Sequence, residues 1–273
     1  MTGMNPFDEH LARWRTWTTE PWGRLRFAVV RHTLAREVAA VAAAVGSRPL
    51  RVLDVGGGDG RDSEPLAAAG HQVTVMDTAP GMLAEARRRA AEAGLTQRTR
   101  TVHAGLDDLP GAVEGGYDLV LCHFLLHYRP TPAEDVALLA ELLGPEGRLS
   151  VIAPNPDGLV LQKLVRRGPV AALEELASDA WHTVTFDEDG HKLSHEACAV
   201  AMSASGLDVV SLYGGRCAND LLTDDDAKYD AEYYADLERL ELQLCDREPF
   251  RRIGTFWQLV AQRCADPPGV SRR

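Results

Sequence analysis

From Leu50 to Ile152, short runs rich in β-branched residues alternate with stretches of helical apolar spacing, and the connections are short. Residues 50–55, 71–76, 100–104, 117–122 and 148–152 read as strands. Residues 61–69, 79–93 and 132–143 read as the helices between them, with "GPEG" turning the last into its strand. A strand that returns through a helix to a parallel neighbour must cross one face of the sheet. Repetition of that unit builds a parallel sheet with helices on both faces, an α/β architecture. A helix over 24–45, stopped by Gly46, precedes it. After Pro154 the rhythm breaks. Residues 155–189 read as an insertion: an "NPDG" loop, a basic helix and an acidic loop "FDEDG". A helix (194–205), a strand (207–213), a long helix (around 227–244) and a final strand (254–263) follow.

The first strand runs into "VLDVGGGDGRD", residues 52–62. A dinucleotide fingerprint beginning at Gly56 needs its third glycine at position 61, which is Arg61, and no Gly-Lys-Ser/Thr follows to make a P-loop. The pattern present is Asp54-x-Gly56-x-Gly58-x-Gly60, with Gly57 inside it: an acid, then glycines at every second position. No cation stands within the loop, which suits a ligand with a cationic end at least as well as a polyphosphate. Asp77 ends the second strand about twenty residues past the first glycine, where a carboxylate can accept both ribose hydroxyls. Together they point to a nucleoside site.

With 273 residues, 45% hydrophobic and 25% charged, the chain has room for one α/β domain with an insertion. No apolar run reaches membrane-spanning length and the polar, acidic N-terminus does not read as a signal peptide, so a cytoplasmic location and no membrane partner are expected. The five cysteines, Cys122, Cys198, Cys217, Cys245 and Cys264, lack any CxxC and read as reduced, mostly buried thiols. Net charge is −11, and eleven acids face three bases between Asp220 and Glu248. That stretch reads as a solvated helix face, with a surface that repels nucleic acid as the alternative, although the first fifty residues are mildly basic.

His127 and Tyr128 follow the carboxyl end of the fourth strand, where open α/β sheets bind ligands. His127 is read as an acceptor contact or a general base, against a satisfied ring at a helix start. Arg216, after the sixth strand, is read as a bidentate clamp for an acceptor carboxylate, against a salt bridge with nearby acids. His123/His127 and His191/His195 have helical spacing but lack the Glu of H-E-x-x-H and a third ligand, so no metal is expected. Trp14 and Trp17 share one helical face, which suits core packing, with covering a ligand as the alternative.

"VLDVGGGDG", "VTVMDTAPGMLAEAR", "HAGLDDLP" and "YDLVLCHFLLHY" resemble the corresponding motifs of the class I S-adenosylmethionine-dependent methyltransferases. The resemblance implies a Rossmann-like, doubly wound, seven-stranded sheet whose last strand, Gly254 to Arg263, runs antiparallel. It implies S-adenosylmethionine as cofactor, its methionyl end over the glycine loop, Asp77 at the ribose, Leu106 and Asp107 flanking the adenine, and His123 near the methionyl side. Gly105 departs from the pattern, since many members carry an acid there. A narrower likeness, carried by "FDEHLARW", "GRLR", "PNPDGLVLQKLV", "GGRCANDLL" and "CDREPFRRIGTFWQLVAQR", is to the bacterial tRNA 5-carboxymethoxyuridine methyltransferases, which esterify a carboxylate on a wobble uridine. It implies that Arg26 reaches the cofactor beneath an N-terminal helical lid. Here too the chain departs: where that family can be lysine-rich after the fifth strand, "SDAWHTVTFDEDGHK" has only Lys192.

The expected division is a lid and helix (1–49), a cofactor-binding core (50–154), an insertion or cap (155–192) and the remainder of the core sheet (193–273). The expected activity is O-methylation of a small-molecule carboxylate or hydroxyl by a monomer or homodimer. Methylation of the tRNA wobble carboxylate is the alternative, and a cofactor-binding regulator without turnover a second one. A carboxylate acceptor needs no base, whereas a hydroxyl or amine does, and His127 would supply it.

Overall fold

The structure is a computed structural model that describes residues 7, 10–46, 48–109, 111–183 and 185–263. Strands β1 (Arg51–Val55), β2 (Gln72–Asp77), β3 (Thr99–His103), β4 (Tyr117–His123) and β5 (Leu143–Pro154) pair in parallel. A short hairpin, β6 (Ala180–Thr183) with β7 (Glu188–His191), stands apart from them. The main sheet is completed by β8 (Leu207–Gly215) and β9 (Phe256–Arg263), with β9 antiparallel to both β5 and β8. The order is β3-β2-β1-β4-β5-β9-β8, the seven-stranded sheet with an antiparallel last strand that the motifs imply.

The helices are α1 (Leu11–Thr19), α2 (Pro21–Val45), α3 (Glu64–Ala68), α4 (Pro80–Glu92), α5 (Pro132–Glu141), α6 (Pro156–Arg167), α7 (Pro169–Ala177), α8 (His195–Ala204) and α9 (Ala231–Leu244). Both sheet faces are covered, as central strands apolar on both sides require. Val136 and Leu139 of α5 with Cys198 and Met202 of α8 fill one face. Val30 and Leu34 of α2, Leu66 of α3 and Leu83 of α4 fill the other. Helix α2 begins earlier than the spacing suggests because Pro21 occupies its first turn, and it stops at Gly46, φ +73°.

Several sequence readings are corrected. "NPDG" is no loop: Asn155 is the N-cap and Pro156 opens α6. "FDEDG" is not a loop throughout, since Glu188–His191 pairs with Ala180–Thr183. The helix read over 61–69 forms only from Glu64, and the long helix near 227 is a 3-10 turn, Asp226–Tyr229, followed by α9. "GPEG" lies within β5 but is looped out of the pairing, which jumps from Leu143 to Arg148 while β4 advances from Tyr117 to Leu119. The described cysteines are free and buried, and Cys264 lies outside the described residues.

Beyond β5 the chain is knotted to the sheet through its backbone. The Asn155 side-chain amide donates to the carbonyls of Arg252 and Gly254, both at 2.8 Å, and its N–H donates to Thr255 O at 2.9 Å. Gly158 packs directly on the Gly254 carbonyl, and a Cβ on Gly254 would lie 2.6 Å from Gly215 O. Among the described residues no helix is long and apolar enough to cross a membrane.

Candidate active site

A cavity of about 410 Å³ opens at the carboxyl ends of β1, β2, β4 and β5. One half of its wall is the glycine loop with Asp54, Asp62 and Asp77; the other is largely aromatic. Gly56, Gly58 and Gly60 have φ of +66°, +54° and +74°, the left-handed region that side chains avoid. Gly57 is glycine for want of space: a Cβ would sit 2.6 Å from Asp54 Cγ. The Asp54 carboxylate therefore lies directly against the loop, 1% exposed, with Oδ2 lacking a partner among the described residues. Burial, aided by the Asp62 charge, pushes its pKa up to about 7. An orphaned, buried carboxylate oxygen in a pocket wall fits a ligand's cationic group.

Asp77 accepts from the N–H of Gly58 (2.9 Å) and of Ala79 (2.8 Å), which ties the end of β2 to the glycine loop. Leu106 is buried and Asp107 exposed at a 3-10 turn, where Arg129 holds the Asp107 carboxylate at 2.5 and 3.1 Å. The absence of an acid at Gly105 has a steric reason: a Cβ there would meet Thr78 Cγ2 at 2.9 Å. Arg26 reaches the cavity from α2, pairing through both terminal nitrogens with Asp62, which His123 Nδ1 also contacts at 2.8 Å. Burial opposes ionisation of Asp62, but the Arg26 guanidinium and His123 hold its carboxyl far below the usual range.

The other half gathers His127, Tyr128 and Arg216 with aromatic side chains. His127 is 1% exposed and neither ring nitrogen has a partner among the described residues. Its ring centroid is 4.5 Å from Trp181 and 4.1 Å from Tyr128. Burial pushes its pKa down to about 3, and burial likewise raises that of Tyr128. Trp14 and Trp17 stack at 5.2 Å and line the cavity, so they are more than helix packing. Phe186 of the hairpin turn meets Phe7 at 4.8 Å and Trp14 at 5.5 Å, and these contacts roof the site.

Arg216 has φ +55°, left-handed for a residue with a Cβ. It is held by Asp220, whose second oxygen accepts from Thr255 at 3.0 Å; Gln162 also donates to Asp220, at 3.1 Å. The salt bridge considered for Arg216 is thus present; the residue lines the cavity, and its Nε is buried without a partner among the described residues. Glu241, on α9, accepts the N–H groups of Cys217 (2.7 Å), Ala218 (3.0 Å) and Asn219 (2.7 Å). Lys228 donates to the carbonyls of Asn219 (2.9 Å) and Leu222 (3.0 Å). Glu241, Lys228 and Asp220 are all buried, so the acidic stretch is not simply a solvated face. Sequence reading missed these braces, along with Asp62, Trp181 and Phe186. Only "FDEDG", with its aromatic beside a turn, carried any local signal.

Residues 52–147 match the model of a methyltransferase domain. Together with the sheet order, this gives the chain a methyltransferase domain on the class I fold; it is an S-adenosylmethionine-dependent methyltransferase, with S-adenosylmethionine as its cofactor. Across 241 residues it is 27% identical to the tRNA 5-carboxymethoxyuridine methyltransferase of Escherichia coli (strain K12), which covers 88% of this chain and 89% of that one. A ubiquinone biosynthesis O-methyltransferase of Xanthomonas euvesicatoria pv. vesicatoria (strain 85-10) is 38% identical over 105 residues, 38% of this chain and 43% of that one. Magnesium protoporphyrin IX methyltransferase from Synechocystis PCC 6803 shares the fold at 19% identity, TM-score 0.60, covering 94% of this chain and 96% of that one.

Proposed function

We propose that the enzyme methylates a carboxylate oxygen of a small-molecule acceptor, bound between Arg216 and His127 under the aromatic roof. The observation that carries this is Arg216, which lines the cavity and, beyond its pairing with Asp220, keeps a buried Nε without a partner among the described residues. Arg26, Arg61 and Arg129, also at the wall, are paired with acids as Arg216 is, but none of them keeps a buried guanidinium nitrogen without a partner among the described residues. A guanidinium edge is a good carboxylate receptor. His127, kept neutral by burial, is a poor proton acceptor but an available hydrogen-bonding group. A carboxylate nucleophile arrives already deprotonated, so no base is required.

When bound, S-adenosylmethionine supplies a methyl group already activated on a sulfonium. The protein's task is then alignment and exclusion of water. Asp54 and the glycine loop take the cationic end, Asp77 the ribose side, Leu106 and Asp107 the adenine side. The aromatic roof keeps water out. The 410 Å³ cavity must also hold the cofactor, which favours a small acceptor. The paired wall arginines and the acidic 220–248 stretch favour it over a polyanion.

A second reading, the tRNA wobble carboxylate, is supported by a likeness to the Escherichia coli enzyme that extends well beyond residues 52–147. The test is incubation with methyl-tritiated cofactor and either a small-molecule extract or bulk tRNA. Alkali-labile label in the small-molecule fraction is expected, because methyl esters release methanol. Ribonuclease-sensitive label would install the second reading, and alkali-stable label would remove the carboxylate.

A further inference from the structure

Behind the cavity wall a line of buried polar side chains crosses the middle of the sheet. Arg26 is held by Asp62, and Asp62 by His123 Nδ1. His123 Nε2 lies 2.9 Å from Ser150 Oγ on β5. Gln258 Nε2 of β9 donates to the same Oγ at 3.0 Å, and Thr33 of α2 lies 2.5 Å from Gln258 Oε1. Ser150, Gln258 and Thr33 are at most 1% exposed.

The direction of the bonds follows from their donors. Gln258 Nε2 donates a hydrogen bond to Ser150 Oγ, which leaves the Ser150 hydroxyl free to donate to His123 Nε2. His123 then carries its proton on Nδ1 and donates it to the ionised Asp62. Both ring nitrogens are engaged, so the imidazole can neither flip nor rotate without stranding a buried group. Ser150 stands among Leu149, Val151 and Ile152, all buried and apolar, and Gln258 between Trp257 and Leu259. Packing alone would place aliphatic side chains at these positions. Every polar group in the line is satisfied, and its outer end is the arginine on the cavity wall.

We propose that Ser150 and Gln258 are positioning residues for cofactor binding, acting through His123 and Asp62 on Arg26, whose guanidinium at the cavity wall would receive the carboxylate of the cofactor's amino-acid end. This rests on the assignment of Arg26 to the cofactor site. Two probes separate positioning from general loosening. S-adenosylhomocysteine has the amino-acid end, and 5′-methylthioadenosine lacks it while keeping the nucleoside and thioether. Calorimetry is performed on the full chain with both.

Ser150→Ala and Gln258→Met are expected to weaken S-adenosylhomocysteine about tenfold and leave 5′-methylthioadenosine within about twofold, as loss of one buried hydrogen bond to a charged system implies. Ser150→Thr, which keeps the hydroxyl, restores binding. Equal weakening of both probes, or of neither, overturns the proposal. Arg26→Ala is measured alongside. If it spares S-adenosylhomocysteine, the assignment of Arg26 fails; if it weakens that ligand selectively while Ser150→Ala and Gln258→Met do not, the assignment stands and the positioning role fails. Thr33→Val, at the far end of the line, is read by the same ratio should Ser150→Ala not fold.

Discussion

Cofactor binding should depend on pH through Asp54. Its carboxyl is 1% exposed beneath Gly57, Oδ2 has no partner among the described residues, and its pKa is pushed up to about 7. A ligand ammonium set against it favours the ionised form and returns its pKa toward the ordinary value near 4. The free protein must then lose a proton to bind. For a shift from about 7 to about 4, linkage weakens binding about elevenfold at pH 6 and scarcely at pH 8, so affinity rises about tenfold over that interval. His127, pushed down to about 3 by burial, does not mimic this titration. Calorimetry with S-adenosylhomocysteine, whose amine stays protonated over this range, should show it. At pH 6 the measured enthalpy should vary with the buffer's ionisation enthalpy, reporting release of about one proton. An affinity flat between pH 6 and 8, with no buffer dependence, would refute the pairing of Asp54 with the cationic end.

The same carboxylate is a burden to the fold. Its folded pKa lies above the unfolded one, so ionisation destabilises the free protein increasingly from pH 4 to 7 and fully above that. Asp54→Asn should raise the melting temperature at pH 8, by less at pH 5, and abolish cofactor binding; calorimetric melts and titrations check both. His127→Phe should cut turnover at least about tenfold while leaving S-adenosylhomocysteine affinity unchanged, and the parent pH–rate profile should show no ionisation of His127 between pH 6 and 8. Glu241→Gln should speed hydrogen exchange at Cys217, Ala218 and Asn219 and raise the KM of the labelled acceptor, with cofactor affinity intact. Unchanged exchange would show that the carboxylate is not what braces this loop.

The cofactor half was legible because it is written in contiguous backbone requirements. Left-handed φ at Gly56, Gly58 and Gly60 and a missing Cβ at Gly57 are met most readily by glycine, so a run of them declares the loop. The alternation of strands and helices likewise survives in local spacing. The acceptor half is assembled from residues far apart in the chain. So is the polar line behind Arg26, where Ser150, Gln258 and Thr33 meet only once β5, β9 and α2 are in place. Glu241 and Lys228 look like ordinary members of an acidic amphipathic stretch until the loop they brace is seen. The β6–β7 hairpin was read as loop because "DEDG" has poor strand propensity; its pairing is secured by tertiary packing, with Gly190 against the His127 carbonyl. At Pro156 a turn signal and a first-turn proline compete, and the Asn155 bonds decide for the helix.

The backbone knot of Asn155, Gly158, Gly215 and Gly254 bears on how such an enzyme can change its acceptor. Where carbonyls and glycines touch, an inserted residue or an added methyl displaces Arg216 and the end of the sheet together. That wall is therefore closed to gradual revision. The hairpin and α1 meet each other through the rings of Phe186 and Trp14 and can exchange one aromatic for another without disturbing the sheet. New acceptors should enter this scaffold by rewriting the roof over a conserved wall, and libraries built to redirect it are best confined to residues 11–19 and 180–191.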